Sequence, residues 1–270
     1  MIPRPRGKIS VTGLDSDIDP IAEETSSTTV TSCADTDESG RISPEVILSP
    51  RVGRKSLKTK RKALIIFDWD DTILPTSYLA KKGYKLDGPD PTPDIQRVLD
   101  DYSGFVNMTL NEASREGHVI IVTNAETGWI DLTVDKFLPL SSSTVAKFQH
   151  VSARSLFEPT GIQTPVAWKE SAFRMVVEEY LNAATQRSKS QDGKYQVVSL
   201  GDSAHEREAV LKVCEELKHK VVCKSLKFME RPDVVSLKKE HQLIVECLPD
   251  IMSSKDNLDL CIQTSAGSDR

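Results

Sequence analysis

From residue 63 onward, short unbroken apolar runs alternate with stretches of helical periodicity, and this alternation constrains the fold more than any other feature of the chain. Ala63-Leu64-Ile65-Ile66-Phe67 places five apolar residues in a row. Comparable runs recur at His118–Thr123, Tyr195–Leu200 and Lys220–Leu226, with a less regular one at Phe148–Ala153. A strand with one wet face alternates polar and apolar residues, whereas a strand covered on both faces reads as continuously apolar. Helical patterns fill the intervals, at about 92–116, 127–138, 165–186, 203–218 and 233–252. Thr92-Pro93 opens the first long one with a capping hydroxyl and a proline in the first turn. The expected fold is α/β: an open, parallel, Rossmann-like sheet with helices on both faces.

The first 60 residues have a different composition. They hold 16 Ser or Thr and five Pro but no Phe, Trp or Tyr. Such a segment buries too little apolar surface to offset an ordering cost of roughly 1–2 kcal/mol per residue. Three regions are therefore expected: a disordered Ser/Thr-rich arm over 1–61, a folded domain over 62–253, and a flexible tail over 254–270. Within the arm, 15–45 is acidic, while 51–62 carries Arg51, Arg54, Lys55, Lys58, Lys60, Arg61 and Lys62 with no acid. That basic cluster reads as a solvated hinge, a docking patch or a nuclear-import address.

A net charge of −5 argues against nucleic acid as a partner, and no apolar run approaches the ~18 residues of a membrane span. The N-terminus lacks the apolar core of a secretory signal. Five scattered cysteines, at 33, 214, 223, 247 and 261, suit reduced thiols. The expected location is the cytoplasm or the nucleus.

In open α/β sheets chemistry gathers beyond the carboxyl ends of the strands. The first strand runs into Asp68-Trp69-Asp70-Asp71-Thr72, where period two puts Asp68 and Asp70 on one side. A later strand ends in Thr123-Asn124, another in Gly201-Asp202 with Glu206 one helical turn on, and Lys169 lies near the start of a helix. Carboxylates brought together repel one another unless a cation intervenes, and oxygen ligands without a histidine pair favour a hard ion such as Mg²⁺. A carboxylate beside such an ion can attack phosphorus, a second can protonate the leaving oxygen, and a lysine and a hydroxyl can hold the phosphoryl oxygens.

These residues resemble the four motifs of the haloacid dehalogenase superfamily of phosphohydrolases, in the family's order. Asp68-Trp69-Asp70-Asp71-Thr72 is similar to its D-x-D-x-T motif, and Val122-Thr123-Asn124 to its second. Lys169 corresponds to the third, and Gly201-Asp202 with Glu206 to the fourth. The resemblance covers 63–226. It implies that Asp68 is the nucleophile of an aspartyl-phosphate intermediate and Asp70 the general acid/base. It implies that Thr123, Asn124 and Lys169 hold the phosphate. Asp68, the Asp70 backbone carbonyl and Asp202 would bind Mg²⁺, with Glu206 supporting its water shell. The family often has Asp where this chain has Glu206, whose extra methylene suits action through a water.

Rival phosphoryl chemistries fail on the letters. No arginine follows any cysteine at Cys-x5-Arg spacing, and neither Gly-Lys pair completes a P-loop. In the superfamily, substrate choice is largely set by cap insertions. Only 50 residues separate Thr72 from Thr123 and 45 separate Thr123 from Lys169, leaving Leu74–Pro91 for a small hairpin flap. The expectation is a capless phosphatase acting on a phosphorylated macromolecule. A small-metabolite phosphatase and a non-catalytic adaptor on the same fold are the alternatives.

Overall fold

The computed structural model describes residues 27–32, 63–187 and 194–265. Seven strands form one sheet: β1 (Ser27–Ser32), β2 (Ala63–Phe67), β3 (His118–Thr123), β4 (Gln149–Ser152), β5 (Tyr195–Gly201), β6 (Val221–Lys227) and β7 (Leu258–Ser265). Their order is β1-β7-β6-β5-β2-β3-β4, parallel throughout except for the antiparallel β1–β7 pair. The α/β expectation holds, and all five expected strands and five expected helices form.

Central β2 shows why its run is unbroken. Leu64 and Ile66 point to one face and pack with Phe173 and Val176 of α6 (Pro165–Arg187) and with Val210 and Val213 of α7 (Ala204–Glu216). Ile65 and Phe67 point to the other. They pack with Leu99 and Val106 of α2 (Pro93–Glu116) and with Leu237 and Ile244 of α8 (Val234–Ser253). Both faces are dry, so neither set of alternating positions tolerates a polar residue.

Four expectations need correction. The tail expected over 254–270 contains β7, whose Leu260 and Ile262 are buried in period-two alternation. The arm expected to be disordered over 1–61 supplies β1. Its Thr28-Thr29-Val30-Thr31 is β-branched throughout and pairs with β7 in register Val30↔Ile262, burying Val30. β7 pairs with β6 on one side, and β1 covers its other side. The basic cluster at 51–62 and the remainder of the arm lie outside the described residues, as do 266–270.

The third correction concerns the flap. After the strand-end turn comes a short helix, α1 (Thr76–Lys81), not a hairpin. Left-handed Gly83 (φ 87°) ends it, with Tyr84 N–H donating to the Leu79 carbonyl and Gly83 N–H to that of Ala80. The remaining helices are α3 (Trp129–Phe137), α4 (Ser142–Val145) and α5 (Ala153–Phe157). Among the cysteines, Cys214, Cys223 and Cys247 are free, while Cys261 is disulfide-bonded, contrary to five reduced thiols. Among the described residues, no helix is long and apolar enough to cross a membrane.

Buried His241 of α8 fastens the strand-end turn to the helical layer. Its Nε2 lies 3.0 Å from the Thr72 carbonyl and its Nδ1 3.0 Å from Thr109 Oγ1 of α2. A neutral ring protonated on Nε2 satisfies both contacts. The Tyr102 and Phe228 rings meet it edge-on, and burial pushes its pKa down to about 4 from 6.5. The unfolded chain takes up this proton below pH 6.5 and the folded chain only below about 4. The stability tied to His241 is therefore complete above 6.5 and lost toward 4, about 3 kcal/mol in all. His241→Gln should destabilise the protein near pH 7. Its deficit relative to wild type should shrink by about 2 kcal/mol near pH 5, measured by urea unfolding at both values. Comparing variant with wild type cancels the other titrating groups.

Candidate active site

The chain order sends β3 and β4 to one side of β2 and brings β5 back on the other. The carboxyl ends of β2 and β5 therefore flank the crevice where an open sheet reverses direction. Asp68 follows β2 directly, its N–H donating to the Leu200 carbonyl at 2.9 Å, and Asp202 follows β5. Ser203 caps α7. Its N–H donates to Glu206 Oε2 at 3.1 Å, and its hydroxyl bonds to the same oxygen and accepts from His205 N–H. This reciprocal cap turns Glu206 back toward the sheet. Gly201 makes room: a Cβ there would lie 2.6 Å from Glu206 Cγ.

Lys169, 1% exposed, enters from the first turns of α6. Its ammonium reaches Asp68 Oδ1 at 2.6 Å, the Val122 carbonyl at 3.0 Å and Glu206 Oε1 at 3.0 Å. Three donors meet three acceptors. Carboxylate oxygens of Asp68, Asp202 and Glu206 lie within 4.8 Å of one another. The cluster thus sets three carboxylates against one ammonium, and among the described residues no ion pair reaches Asp202.

The electrostatics follow from that imbalance. Burial pushes Asp68 well above the usual carboxylate range, with Lys169 opposing and Glu206 and Asp70 adding. Burial also lifts Asp202, to about 7, helped by Glu206 and Asp71. Burial pushes Glu206 up too, but Lys169 and Ser203 outweigh it and the net shift is downward. For Lys169, burial is overcome by Asp68 and Glu206, and its pKa rises. A compact all-oxygen set with excess negative charge fits a hard divalent cation, for which Asp68 and Asp202 are the available ligands. Both Glu206 oxygens are already engaged.

Asp70 turns to a different set of partners. Its Oδ1 accepts from Thr76 Oγ1 at 2.6 Å and from Trp129 Nε1 at 3.0 Å, and its Oδ2 accepts from Thr123 Oγ1 at 3.2 Å. The Thr123 hydroxyl also accepts from Ala125 N–H at 2.9 Å, which shapes the loop after β3. Asp71 is buried, with left-handed φ of 54°, a conformation Asp tolerates better than most residues. It accepts from the Ser77 N–H at 2.8 Å and from the Ser77 hydroxyl, closing the first turn of α1. Trp69 faces away, fully buried, and donates to Thr133.

The sequence-expected residues Asp68, Lys169, Asp202 and Glu206 thus meet in one cluster, and Asp70 and Thr123 are bonded to each other. Asn124 is set apart: its amide donates to the Pro165 carbonyl at 3.2 Å, pinning the start of α6 that delivers Lys169. Sequence reasoning missed Thr76 and Trp129. No spacing links either to Asp70, and only the packing of α1 and α3 brings them there. No family model, no curated protein and no solved structure matches the chain.

Removing the ammonium would leave Asp68 and Glu206 buried without a counter-charge. Lys169→Met should cost about 3–5 kcal/mol in urea unfolding. Adding Glu206→Gln to that variant should restore part of the loss, because one stranded charge is removed. Full stability of the single variant would mean that the cluster contributes no net strain or support.

Proposed function

We propose that the chain is a capless member of the haloacid dehalogenase superfamily, a Mg²⁺-dependent phosphomonoester hydrolase that works through an aspartyl-phosphate on Asp68. One observation carries the reading. Asp68, Lys169, Asp202 and Glu206 converge at the switch point of the sheet, with Asp70 two residues on and bonded to Thr123. Structural needs alone do not bring three carboxylates and a saturated lysine into one crevice.

Asp68 and Asp202 would hold Mg²⁺, with Glu206 steadying its surroundings. When bound, the ion supplies positive charge that keeps Asp68 ionised and offsets the charge of the phosphoryl oxygens. Lys169 fixes Oδ1 of Asp68 and so orients the carboxylate, and among the described residues no hydrogen bond engages Oδ2. An Asp68 oxygen attacks phosphorus, and the bond to the substrate's alcohol oxygen breaks as Asp70 gives that oxygen a proton. Asp70 then takes a proton from water as the water oxygen attacks the same phosphorus. The acyl phosphate bond breaks, inorganic phosphate leaves and Asp68 is restored. Thr123 orients Asp70 through its hydroxyl, and Lys169 balances charge on the transferring group.

A phosphoprotein or other bulky substrate suits the intervals that a cap would occupy. Those intervals are taken up by α1 and α2 before Thr123, and by α3, α4, β4 and α5 before Lys169. The reading places the protein in the cytoplasm or nucleus, with a phosphorylated macromolecule as partner.

Asp68→Asn keeps the shape of the side chain and removes its charge. Hydrolysis of an aryl phosphate should fall by several orders of magnitude while circular dichroism stays unchanged, and activity within tenfold of wild type would assign the attack elsewhere. Chelation should abolish turnover and added Mg²⁺ should restore it. Asp202→Ala should weaken apparent Mg²⁺ affinity more than Glu206→Ala, because the Glu206 oxygens are held by Lys169 and Ser203. The reverse order would make Glu206 the direct ligand.

A further inference from the structure

A cavity of about 480 Å³ lies between α1, the loop that follows it and α3. Its apolar walls are Leu74, Leu79, Tyr84, Leu86, Trp129 and Phe137. The volume is within the range of small-molecule pockets, roughly 300–1,000 Å³. Thr76 and Trp129 both line it, and both donate to Asp70 Oδ1, at 2.6 and 3.0 Å. The cavity therefore adjoins the carboxylate assigned above to leaving-group protonation. We propose that it is the leaving-group pocket of the site and that it selects phosphomonoesters of aromatic alcohols. The inference rests on the phosphatase reading and deepens it.

The argument is one of position and then of chemistry. In-line displacement puts the leaving oxygen across phosphorus from the attacking Asp68 oxygen. The acid that protonates it must come within about 2.6–3.2 Å of it. Whatever carbon the leaving oxygen carries must lie beside Asp70, and this cavity is bordered by Thr76 and Trp129, both bonded to that carboxylate. Beyond Thr76, Lys85 and Asp87, its walls offer few partners for hydroxyls. A sugar placed there would leave polar groups unpaired, at roughly 1–3 kcal/mol each, while a flat apolar ring would lose nothing. Tyr84 and Trp129 place aromatic rings in the wall.

The wall is also fixed before any ligand arrives. Lys136 Nζ donates to the carbonyls of Leu86 at 3.0 Å and Gly88 at 2.6 Å, tying the loop to α3. The turn at Gly83 fixes the loop's start, and the Tyr84 hydroxyl accepts from Thr92 N–H near its end. A preformed pocket saves the ordering cost that a loose loop would add to binding.

Ethyl and phenethyl phosphate test the proposal, because their alcohols are of nearly equal acidity and differ by one ring. With the full chain and Mg²⁺, the phenethyl ester should show a kcat/KM higher by about tenfold or more, as burial of a ring predicts. Ala80 lines the cavity and is exposed, so Ala80→Trp should fold and fill the space, bringing the ratio close to one. Calorimetric titration of Asp68→Asn with both esters reads the pocket without turnover. Tighter binding of the phenethyl ester would uphold the pocket even if neither ester were hydrolysed, an outcome that sinks the phosphatase reading alone. A phosphotyrosyl peptide turned over faster than free phosphotyrosine would assign the aromatic alcohol to a protein; the opposite order would assign it to a small molecule. Equal kcat/KM for the two esters in wild type, or a ratio unmoved by Ala80→Trp, would overturn the proposal.

Discussion

The Lys169 ammonium joins two strand ends and a helix start, two of which bring carboxylates that would otherwise repel one another. Its three donors go to Asp68 at the end of β2, to the Val122 carbonyl near the end of β3 and to Glu206 in the first turn of α7. At 1% exposure these bonds work in a low-dielectric setting, where each is strong and each would be costly to lose. The crevice between β2 and β5 can hold its carboxylates because α6, packed beside α7 on one face of the sheet, delivers this cation. The start of α6 is itself pinned by Asn124, the residue that follows β3. The loop after one strand therefore fixes the helix whose lysine closes the cluster.

A second device holds the strand-end turn. Asp70 and Asp71 are adjacent, yet the left-handed backbone at Asp71 sends their side chains to different tasks. Asp71 closes the first turn of α1, and Asp70 gathers donors from α1, β3 and α3. The same turn is held from below by His241 through the Thr72 carbonyl. Next to His241, Glu240 donates nothing to the layer; it accepts the Met229 N–H at 2.7 Å, and burial lifts its pKa to about 8. Burial thus pushes two titratable groups of α8, Glu240 and His241, toward their uncharged forms.

The edge of the sheet follows a different logic. β7 extends the parallel sheet beyond β6 and would expose an unpaired ladder, which β1 covers in antiparallel register. The Arg207 guanidinium, with Nε 3.0 Å from both Asp259 oxygens, ties β7 to α7. The helix that carries Glu206 is thereby braced against the added strand.

The sequence by itself determined the parallel strands β2 to β6 and the five long helices, because continuous apolar runs and helical periodicity are local signals. It also placed most of the residues that converge, though it grouped Asn124 with them. Asp68, Asp70, Thr123, Lys169, Asp202 and Glu206 follow strands or open helices, and a parallel sheet must bring strand ends together. What it left open depends on contacts between distant segments. β1 and β7 lack the continuous apolar run that announces the other strands, and they pair with each other over more than 200 residues of separation. Thr76 and Trp129 became partners of Asp70 only when α1 and α3 packed beside the turn. Likewise, only the placed helices show that Lys169 is saturated, that Asn124 holds a helix, and that an apolar cavity adjoins Asp70. The tertiary structure decided these points because hydrogen-bond geometry and enclosed volume are properties of packed surfaces, which no local run of residues encodes.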